Sequence, residues 1–469
     1  MALKSITFTV PKTTPAGTYR IYGGYLDVTH RSGGYEWLDK YAKFYRMEIS
    51  DLTITVLKGD IETVEDLIDA IGANVTLDSE AAITAAKSAY DALSDEDKAL
   101  VDADKVDALT AAIIRLNQLK HADLMANLDT IYKTTGDFMA TLGTPTVNST
   151  GGEWMVIGLA RSGRTVPAGY YDNVVEYVKA KADANERLHP AKVTDNARVI
   201  LALTAIGKDV TNVGGHNLLK GLDNMDYVQT QDINGPIFTL IALDSHNYPT
   251  MGDVTREKLI QVILDAQLPD GGWNLSGENA DPDMTAMAIQ ALAPYYKTNE
   301  TVKAAVDKAL EALSALQRTD GGFGSWGTVN SESCAQVIVA LTALGIDPTA
   351  DSRFVKNGHT VLDALAGFYV TGGGFRHTAG GERNDMATEQ GYYALAAYYR
   401  FLNGQTRLYD MSDVAIQTGG TSGGDNSGNG TNNGGTPATG DTGVLVWVIA
   451  LPVTILAAAF VLKRKEREA

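Results

Sequence analysis

Two aspartates, Asp281 and Asp283, open an apolar helix in the segment DPDMTAMAIQAL at 281–292. A carboxyl group that stays neutral in a nearly dry cavity can donate a proton, and paired carboxylates can hydrolyse a glycosidic bond. Aspartates at a helix start also cap free backbone N–H groups, which is a structural role. The spacing therefore predicts either a catalytic pair, with Asp283 as the acid, or a capped helix.

Further acidic and aromatic residues lie near the predicted starts of other helices. An acidic rim that also carries aromatic rings can bind a sugar or a cationic ligand. Acidic residues are common at helix starts for dipole reasons alone, so the rim does not identify the ligand. The ligand-binding candidates are Trp154, Asp195, Trp273, Trp326, Glu332, Phe375, His377, Asp385 and Glu389.

Charge and cysteine content exclude several classes of function. The chain has 57 acidic and 39 basic side chains and a net charge of -18, which argues against nucleic-acid binding. The single cysteine, Cys334, excludes an intramolecular disulfide and a multi-cysteine zinc site. A length of 469 residues predicts two or three domains with accessory segments.

Apolar helices alternate with amphipathic helices between residues 121 and 412. Helices that are apolar all round belong inside a fold, and helices with one apolar face belong outside. Six of each, in alternation, predict a mainly α fold with a closed α6/α6 toroid. The apolar helices begin near Gly152, Thr194, Asn234, Asp283, Ser331 and Met386.

A repeated motif joins outer to inner helices: QLPDGGW at 267–273, QRTDGGF at 317–323 and the weaker YVTGGGF at 369–375. Glycines permit the left-handed turn between two helices, and glutamine can bond a free helix end. This motif resembles the QW-type repeat of squalene and hopene cyclases and of protein prenyltransferase β subunits. The resemblance implies an α/α toroid, and the repeat itself specifies fold more than function.

The resemblance also suggests functions for particular residues. In cyclases of this kind an Asp-x-Asp-Asp-Thr-Ala motif supplies the proton donor, and Asp283 falls on its acid position, but Met284 replaces the last aspartate. In the prenyltransferases an Asp-x-Cys pair and a histidine bind zinc. Glu332 and Cys334 imitate the pair, but Gln390 occupies the histidine position. We therefore expect a buried structural cysteine and no metal.

A third resemblance involves the animal cobalamin carriers, which use the same toroid. The stretch DMTAMA at 283–288 is similar to a helix start of those carriers. This resemblance implies cobalamin as an alternative ligand, although the carriers' second β domain has no complete counterpart downstream. We otherwise expect no cofactor.

Two smaller modules precede the toroid. Alternating residues within 1–57 predict a partial β-sandwich that resembles the last strands of cohesin-like domains. Helical patterns within 58–120 resemble the three-helix spacer modules of Firmicute surface proteins. The chain lacks an apolar export signal at its start. We therefore expect residue 1 to be an internal start within a longer precursor.

The C-terminal region predicts a surface anchor. A Gly/Ser/Asn/Thr linker at 413–442 precedes an apolar span at 443–462 and a basic tail at 463–469, which the positive-inside rule places in the cytoplasm. The linker carries Pro437, Thr439 and Gly440, and the whole arrangement resembles the cell-wall sorting signal of Gram-positive surface proteins. The resemblance implies sortase cleavage after Thr439 and attachment to peptidoglycan. A plain single-pass membrane anchor is the alternative.

These observations predict a surface protein whose toroid binds a small-molecule or glycan ligand. The alternatives are an enzyme with cyclase-like or glycosidase chemistry, a cobalamin carrier and a structural adhesin scaffold.

Overall fold

The computed structural model describes residues 17–21, 25–29, 44–48, 52–56 and 59–417. The chain forms two compact units, Met1–Ala122 and Asp123–Ala469. The predicted linker at 413–442 lies outside the described residues from residue 418 onward, as do the sorting motif at Pro437, Thr439 and Gly440, the span at 443–462 and the basic tail. Among the described residues, no helix combines the length and apolar character that crossing a membrane requires.

The first unit begins with four short strands: β1 (Gly17–Ile21), β2 (Tyr25–Thr29), β3 (Phe44–Glu48) and β4 (Leu52–Val56). β1 pairs antiparallel with β4, with Gly17 opposite Val56, and β2 pairs antiparallel with β3, with Tyr25 opposite Glu48. The described strands therefore form two separate two-stranded ladders. The larger sandwich to which they were assigned stays a prediction.

Four helices follow: α1 (Asp60–Asp69), α2 (Glu80–Ala92), the short α3 (Asp95–Lys98) and the long α4 (Ala103–Met139). Buried apolar residues hold the helices of this unit together, among them Val64, Ile68, Ala86 and Leu109. Ser94 accepts a hydrogen bond from the Asp97 N–H and so caps α3. The predicted module boundary at residue 120 falls inside α4.

The second unit continues with eleven helices among the described residues. In chain order they are α5 (Glu153–Arg161), α6 (Tyr170–Lys181), α7 (Val193–Ala205), α8 (Met225–Val228), α9 (Asn234–Asp244), α10 (Arg256–Asp265), α11 (Pro282–Leu292), α12 (Glu300–Leu316), α13 (Ser331–Ala343), α14 (Val361–Gly367) and α15 (Asp385–Leu402).

The odd-numbered helices from α5 to α15 form a closed inner ring, because each packs on the next and α15 packs on α5. The part of α4 that belongs to the second unit and the even-numbered helices from α6 to α14 lie outside the ring, so the predicted mainly α fold with an α/α toroid is confirmed. α8 is reduced to four residues, which makes the third outer helix shorter than the full helix that the alternation predicts.

Small and apolar side chains allow the inner helices to pack closely on all sides. In α13, SESCAQVIVALTA, all but two of the 13 residues are buried. The outer helix α12 instead buries one face through residues such as Val302, Val306 and Leu310.

The repeated motif forms the joints between outer and inner helices. Gly271 has a φ of +93°, and the Leu268 N–H donates to the Gly272 carbonyl. The Gln267 amide donates to the carbonyls of Gly271 and Ala305, at 2.7 and 2.8 Å. Gln317 repeats this arrangement with the carbonyls of Gly321 and Phe354. The glutamine therefore ties each turn to the next outer element.

Residues 403–417 cover one end of the ring. The inner helices finish at this end. Arg161 donates to the carbonyls of Leu408, Arg407 and Asp410 and to the Asp413 carboxylate, all within 3.1 Å. A cavity of only about 30 Å³ remains there, partly lined by Tyr409. We call residues 403–417 the closing segment and this end the closed end.

Candidate functional site

The opposite end of the ring, where the inner helices begin, contains an open cavity of about 400 Å³. We call this end the mouth. Five of the inner helices and the two-stranded β5 (Gly324–Ser325) and β6 (Thr328–Val329) contribute side chains to it. The lining residues are Trp154, Phe238, Asp283, Met287, Ser325, Trp326, Thr328, Asn330, Glu332, Gln336, His377, Met386, Gln390 and Tyr393.

Asp281 is committed to local structure. One carboxylate oxygen accepts hydrogen bonds from the N–H groups of Asp283 and Met284, both at 3.0 Å, and so caps α11. The other oxygen accepts a hydrogen bond from the Ser325 hydroxyl. Asp281 therefore positions both α11 and the β5–β6 hairpin and is not among the lining residues.

Asp283 lies in the cavity wall, and its Oδ1 atom is buried without a hydrogen-bond partner among the described residues. The pKa of Asp283 is raised to about 6, mainly by burial and also by the nearby carboxylates of Asp281 and Glu332, whereas the Ser333 hydroxyl and His377 oppose the shift. The side chain of Met284 is buried away from the cavity lining. Asp283 therefore contributes a partly buried carboxyl group to the cavity wall, and its Oδ1 atom is enclosed by the protein.

Glu332 and His377 form a second polar group in the cavity wall. His377 Nδ1 lies 2.8 Å from Glu332 Oε2, which also accepts a hydrogen bond from the Ser331 hydroxyl at 2.9 Å. The Glu332 side chain is 13% exposed, whereas His377 is about half exposed. His377 therefore lies nearer to solvent than its partner.

Amide side chains and a tyrosine form the deeper part of the cavity. The Gln336 amide nitrogen donates to Gln390 Oε1 at 2.9 Å and to the Tyr393 hydroxyl at 2.6 Å. Gln290 donates to Gln336 Oε1 at 3.0 Å. This chain of hydrogen bonds holds three amides in place and occupies both polar atoms of Gln336.

Aromatic rings line the wall beside this network. The ring of Trp154 lies 5.8 Å from that of Phe238 and 5.9 Å from that of Tyr393, at tilted angles. Trp326 occupies the tip of the β5–β6 hairpin, where it and Gly327 have φ values of +52° and +78°. The Trp326 side chain is 82% exposed. A large apolar ring is thus held at the rim on a backbone that disfavours it.

Five of the predicted ligand-binding residues do not line the cavity. Trp273 is fully buried in its joint, where its indole N–H donates to the Ile263 carbonyl at 2.7 Å. Phe375 is buried against Gly391. Asp195 pairs with Arg198, and Asp385 is exposed outside the lining. Asp195 and Asp385 are placed by the rotation of their helices, which local sequence does not define, whereas Trp273 and Phe375 lie in the joints.

Glu389 is the fifth of these residues. It is buried at the closure between α15 and the loop before α5, where it accepts a hydrogen bond from the Gly151 N–H at 2.6 Å. Burial raises its pKa to about 8. Glu389 therefore joins the two ends of the inner ring and does not face the cavity.

Cys334 is fully buried, and burial raises the pKa of its thiol to about 12. A thiol in this state is a poor metal ligand and a poor nucleophile. Within the described ranges, no group of three or more candidate ligands could hold a metal ion.

Sequence reasoning missed the deeper lining residues, including Phe238, Gln336, Gln390 and Tyr393. Gln336 follows Glu332 by four residues, and Gln390 follows Met386 by four, so each pair shares a helix face. Glutamines within otherwise apolar inner helices were the available signal, because buried amides need partners.

Comparison with known families supports the architecture. Residues 215–383 match the model of the family described as the prenyltransferase alpha-alpha toroid domain. The prenyltransferase-like toroid is thereby shown. No curated protein matches the chain.

Two solved structures are similar at low sequence identity. One is ent-copalyl diphosphate synthase from Streptomyces platensis, at 18% identity and a TM-score of 0.37, covering 74% of this chain and 86% of that chain. The other is a possible member of the GH105 family from Salmonella enterica serovar Paratyphi A, at 12% identity and a TM-score of 0.28, covering 61% of this chain and 82% of that chain.

Proposed function

We propose that the toroid binds a small organic molecule in the mouth cavity and that the protein displays this site on the surface of a Gram-positive bacterium. The cavity volume of about 400 Å³ lies in the range typical of small-ligand sites. The observation that carries the proposal is the partly buried carboxyl group of Asp283, which lies in the wall of this cavity together with aromatic side chains. A donor or a positive charge on a ligand can pair with that carboxyl group.

Surface display rests on the sequence after the toroid. The spacer, the Thr-Pro-Ala-Thr-Gly-Asp motif, the apolar segment and the basic tail together support transfer by a sortase to peptidoglycan, with a single-pass membrane anchor as the alternative. Mass spectrometry of the wall fraction would test this: a C-terminal peptide that ends at Thr439 is expected. An intact peptide that includes residues 463–469 would instead support the membrane anchor.

One observation favours a second candidate, acid catalysis by Asp283. A carboxyl group with a pKa near 6 carries a proton for part of the time at neutral pH, and aromatic walls can stabilise a developing carbocation. Product formation from polyprenyl substrates, abolished in Asp283→Asn and retained in Asp385→Asn, would establish this cyclase-like activity. Hydrolysis of a glycoside that depends on Asp283 and Glu332 would favour the glycosidase alternative.

The binding function can be tested by thermal unfolding of the full chain with organic cations, neutral glycans, polyprenols and cobalamin. A ligand at a hundred times its Kd should raise Tm by several degrees, on the order of 5 °C. Met287→Trp places a large ring in the cavity and should abolish the shift. Leu275→Trp adds the same ring at an exposed position outside the cavity lining and should preserve it.

If no compound shifts Tm in the wild-type chain, the small-ligand function fails and the scaffold alternative gains support. If Met287→Trp retains the full shift, the ligand binds elsewhere and the mouth cavity is not the site.

A further inference from the structure

We infer that the ligand of the mouth cavity is an organic cation: an ammonium group that carries apolar substituents. This inference rests on the proposed function and specifies the chemical class of its ligand. Three observations support it. They are the charge of the lining residues, the aromatic walls and the hydrogen bonds that the amides in the deeper part of the cavity already make.

The fixed charges of the cavity are negative. Asp283 and Glu332 both line it, whereas the described lining residues include no lysine or arginine. His377, a further ionisable lining group, is hydrogen-bonded to Glu332. A phosphate or carboxylate ligand would lie beside two carboxylates without a cationic partner, and such repulsion grows as water is excluded. The cavity therefore favours a positive ligand over an anionic one.

Arginine side chains of the inner ring are engaged elsewhere. Arg198 donates to Glu153 and Asp195, at 2.6 and 3.1 Å. Arg161 and Arg400 are bound to the closing segment at the other end of the ring. None of these three guanidinium groups lines the cavity, so they do not offset its negative charge.

The uncharged part of the lining suits the substituents of an ammonium group. The electron-rich faces of Trp154 and Tyr393 can attract a cation, and the adjacent Phe238 adds apolar surface. Met287 and Met386 contribute polarizable thioethers. A carboxylate in the same cavity wall as these aromatic rings provides both elements that recognise an alkylammonium ion.

The amide side chains in the deeper part of the cavity argue against a neutral sugar as the main ligand. Sugars bind through many hydrogen bonds, and buried amides would be their natural partners. Here Gln336 already uses its amide nitrogen twice and accepts from Gln290 through its oxygen. The Gln336 amide therefore has no free N–H group to offer a sugar.

Choline and its neutral isostere 3,3-dimethylbutan-1-ol provide a direct test, because they share shape and hydroxyl group and differ in charge. Binding of each to the full chain can be measured by calorimetry or by ligand-observed NMR. Choline should bind at least about tenfold more tightly than the isostere, because the alcohol forms neither the ion pair nor the cation–π contact.

Asp283→Asn should weaken choline binding by about tenfold or more, and Glu332→Gln should weaken it less, since His377 already pairs with Glu332. Asp385→Asn, which removes an exposed acid outside the lining, is the matched control and should leave binding unchanged. Circular dichroism of each variant separates a lost contact from a lost fold.

Equal binding of choline and its isostere, or no binding of choline, would overturn the inference. The proposed function would survive that result if a neutral compound still raised Tm and Met287→Trp abolished the shift. Loss of binding in Asp385→Asn comparable to that in Asp283→Asn would also overturn the inference, since the effect would then reflect general charge.

Discussion

The two ends of the inner ring are built on different principles. At the closed end, Arg161 and Arg400 hold the closing segment through carbonyls and the Asp413 carboxylate, and little space remains. At the mouth, a carboxylate oxygen lacks a partner, a tryptophan is exposed on a left-handed backbone and a cavity of about 400 Å³ is open. These three features of the mouth each reduce stability, which is typical of a functional site.

The comparison predicts the largest loss of stability at the closed end. Arg161→Ala should reduce the free energy of unfolding by about 3–5 kcal/mol, because Asp413 loses a partner and four further acceptors lose their donor. Urea unfolding measures this loss. Lys133→Ala, which removes an exposed ion pair with Asp137, should change it by less than about 1 kcal/mol. Similar losses in both variants would contradict the role assigned to the closing segment.

Trp273 is buried in its joint, whereas Trp326 is exposed at the rim, and substitution of Trp273 tests this contrast first. Trp273→Ala should cost about 3–4 kcal/mol, because a fully buried ring and its hydrogen bond to Ile263 are lost. Thermal and urea unfolding both report this change. Trp273 does not line the cavity, so ligand affinity of the folded fraction should be unchanged. A selective loss of affinity with normal stability would place Trp273 at the site after all.

Asp283→Asn should stabilise the protein at alkaline pH. The native pKa of about 6 exceeds the ordinary value of 3.8, so the folded state binds the proton more tightly than the unfolded state. Asp283 therefore reduces stability as pH rises through this interval, by about 1–3 kcal/mol above it. Asparagine removes that penalty at pH 8 and changes little at pH 4.

Asp281, Glu332, His377 and Ser333 surround the Asp283 carboxyl group, and all stay unchanged in this variant. Urea unfolding of the wild type and the variant at pH 4, 6 and 8 should show a difference that grows with pH. A variant that is less stable than the wild type at pH 8 would indicate that the carboxylate has a stabilising partner.

The smallest expected effect is at the rim. Trp326→Gly should raise stability by up to about 1 kcal/mol, because glycine adopts the φ of +52° without strain. Choline affinity should fall by roughly threefold if the exposed ring contacts the ligand. Leu275→Gly, at another exposed site, is the control and should leave affinity unchanged. Unchanged affinity in Trp326→Gly would remove this ring from the site.

The sequence was most informative where local chemistry defines the structure. The QLPDGGW joint could be predicted because its glycines and its glutamine act within one turn and one neighbouring carbonyl. The inner helices begin close to their predicted positions because their apolar character is continuous. No comparable signal in the sequence predicts that α8 is only one helical turn long, because the tertiary packing of the ring determines its length.

The candidate site was less predictable because it depends on how each helix is rotated in the ring. The predicted residues that line the cavity are Trp154, Asp283, Trp326, Glu332 and His377. Glu389 also lies near a helix start, but it faces the ring closure. Trp273 and Trp326 belong to similar joints, but only the hairpin at β5–β6 carries its ring to the rim. Long-range contacts decide these differences.

The closing segment also determines where mechanical force would enter the toroid. The described chain ends at Gln417, whose N–H donates to the Gly207 carbonyl at the closed end. Force applied to the chain beyond this residue would act on the contacts of Arg161 and Arg400 with the closing segment before it reached the mouth. A tether at this point would leave the mouth facing away from the attachment, and tension would be resisted far from the cavity.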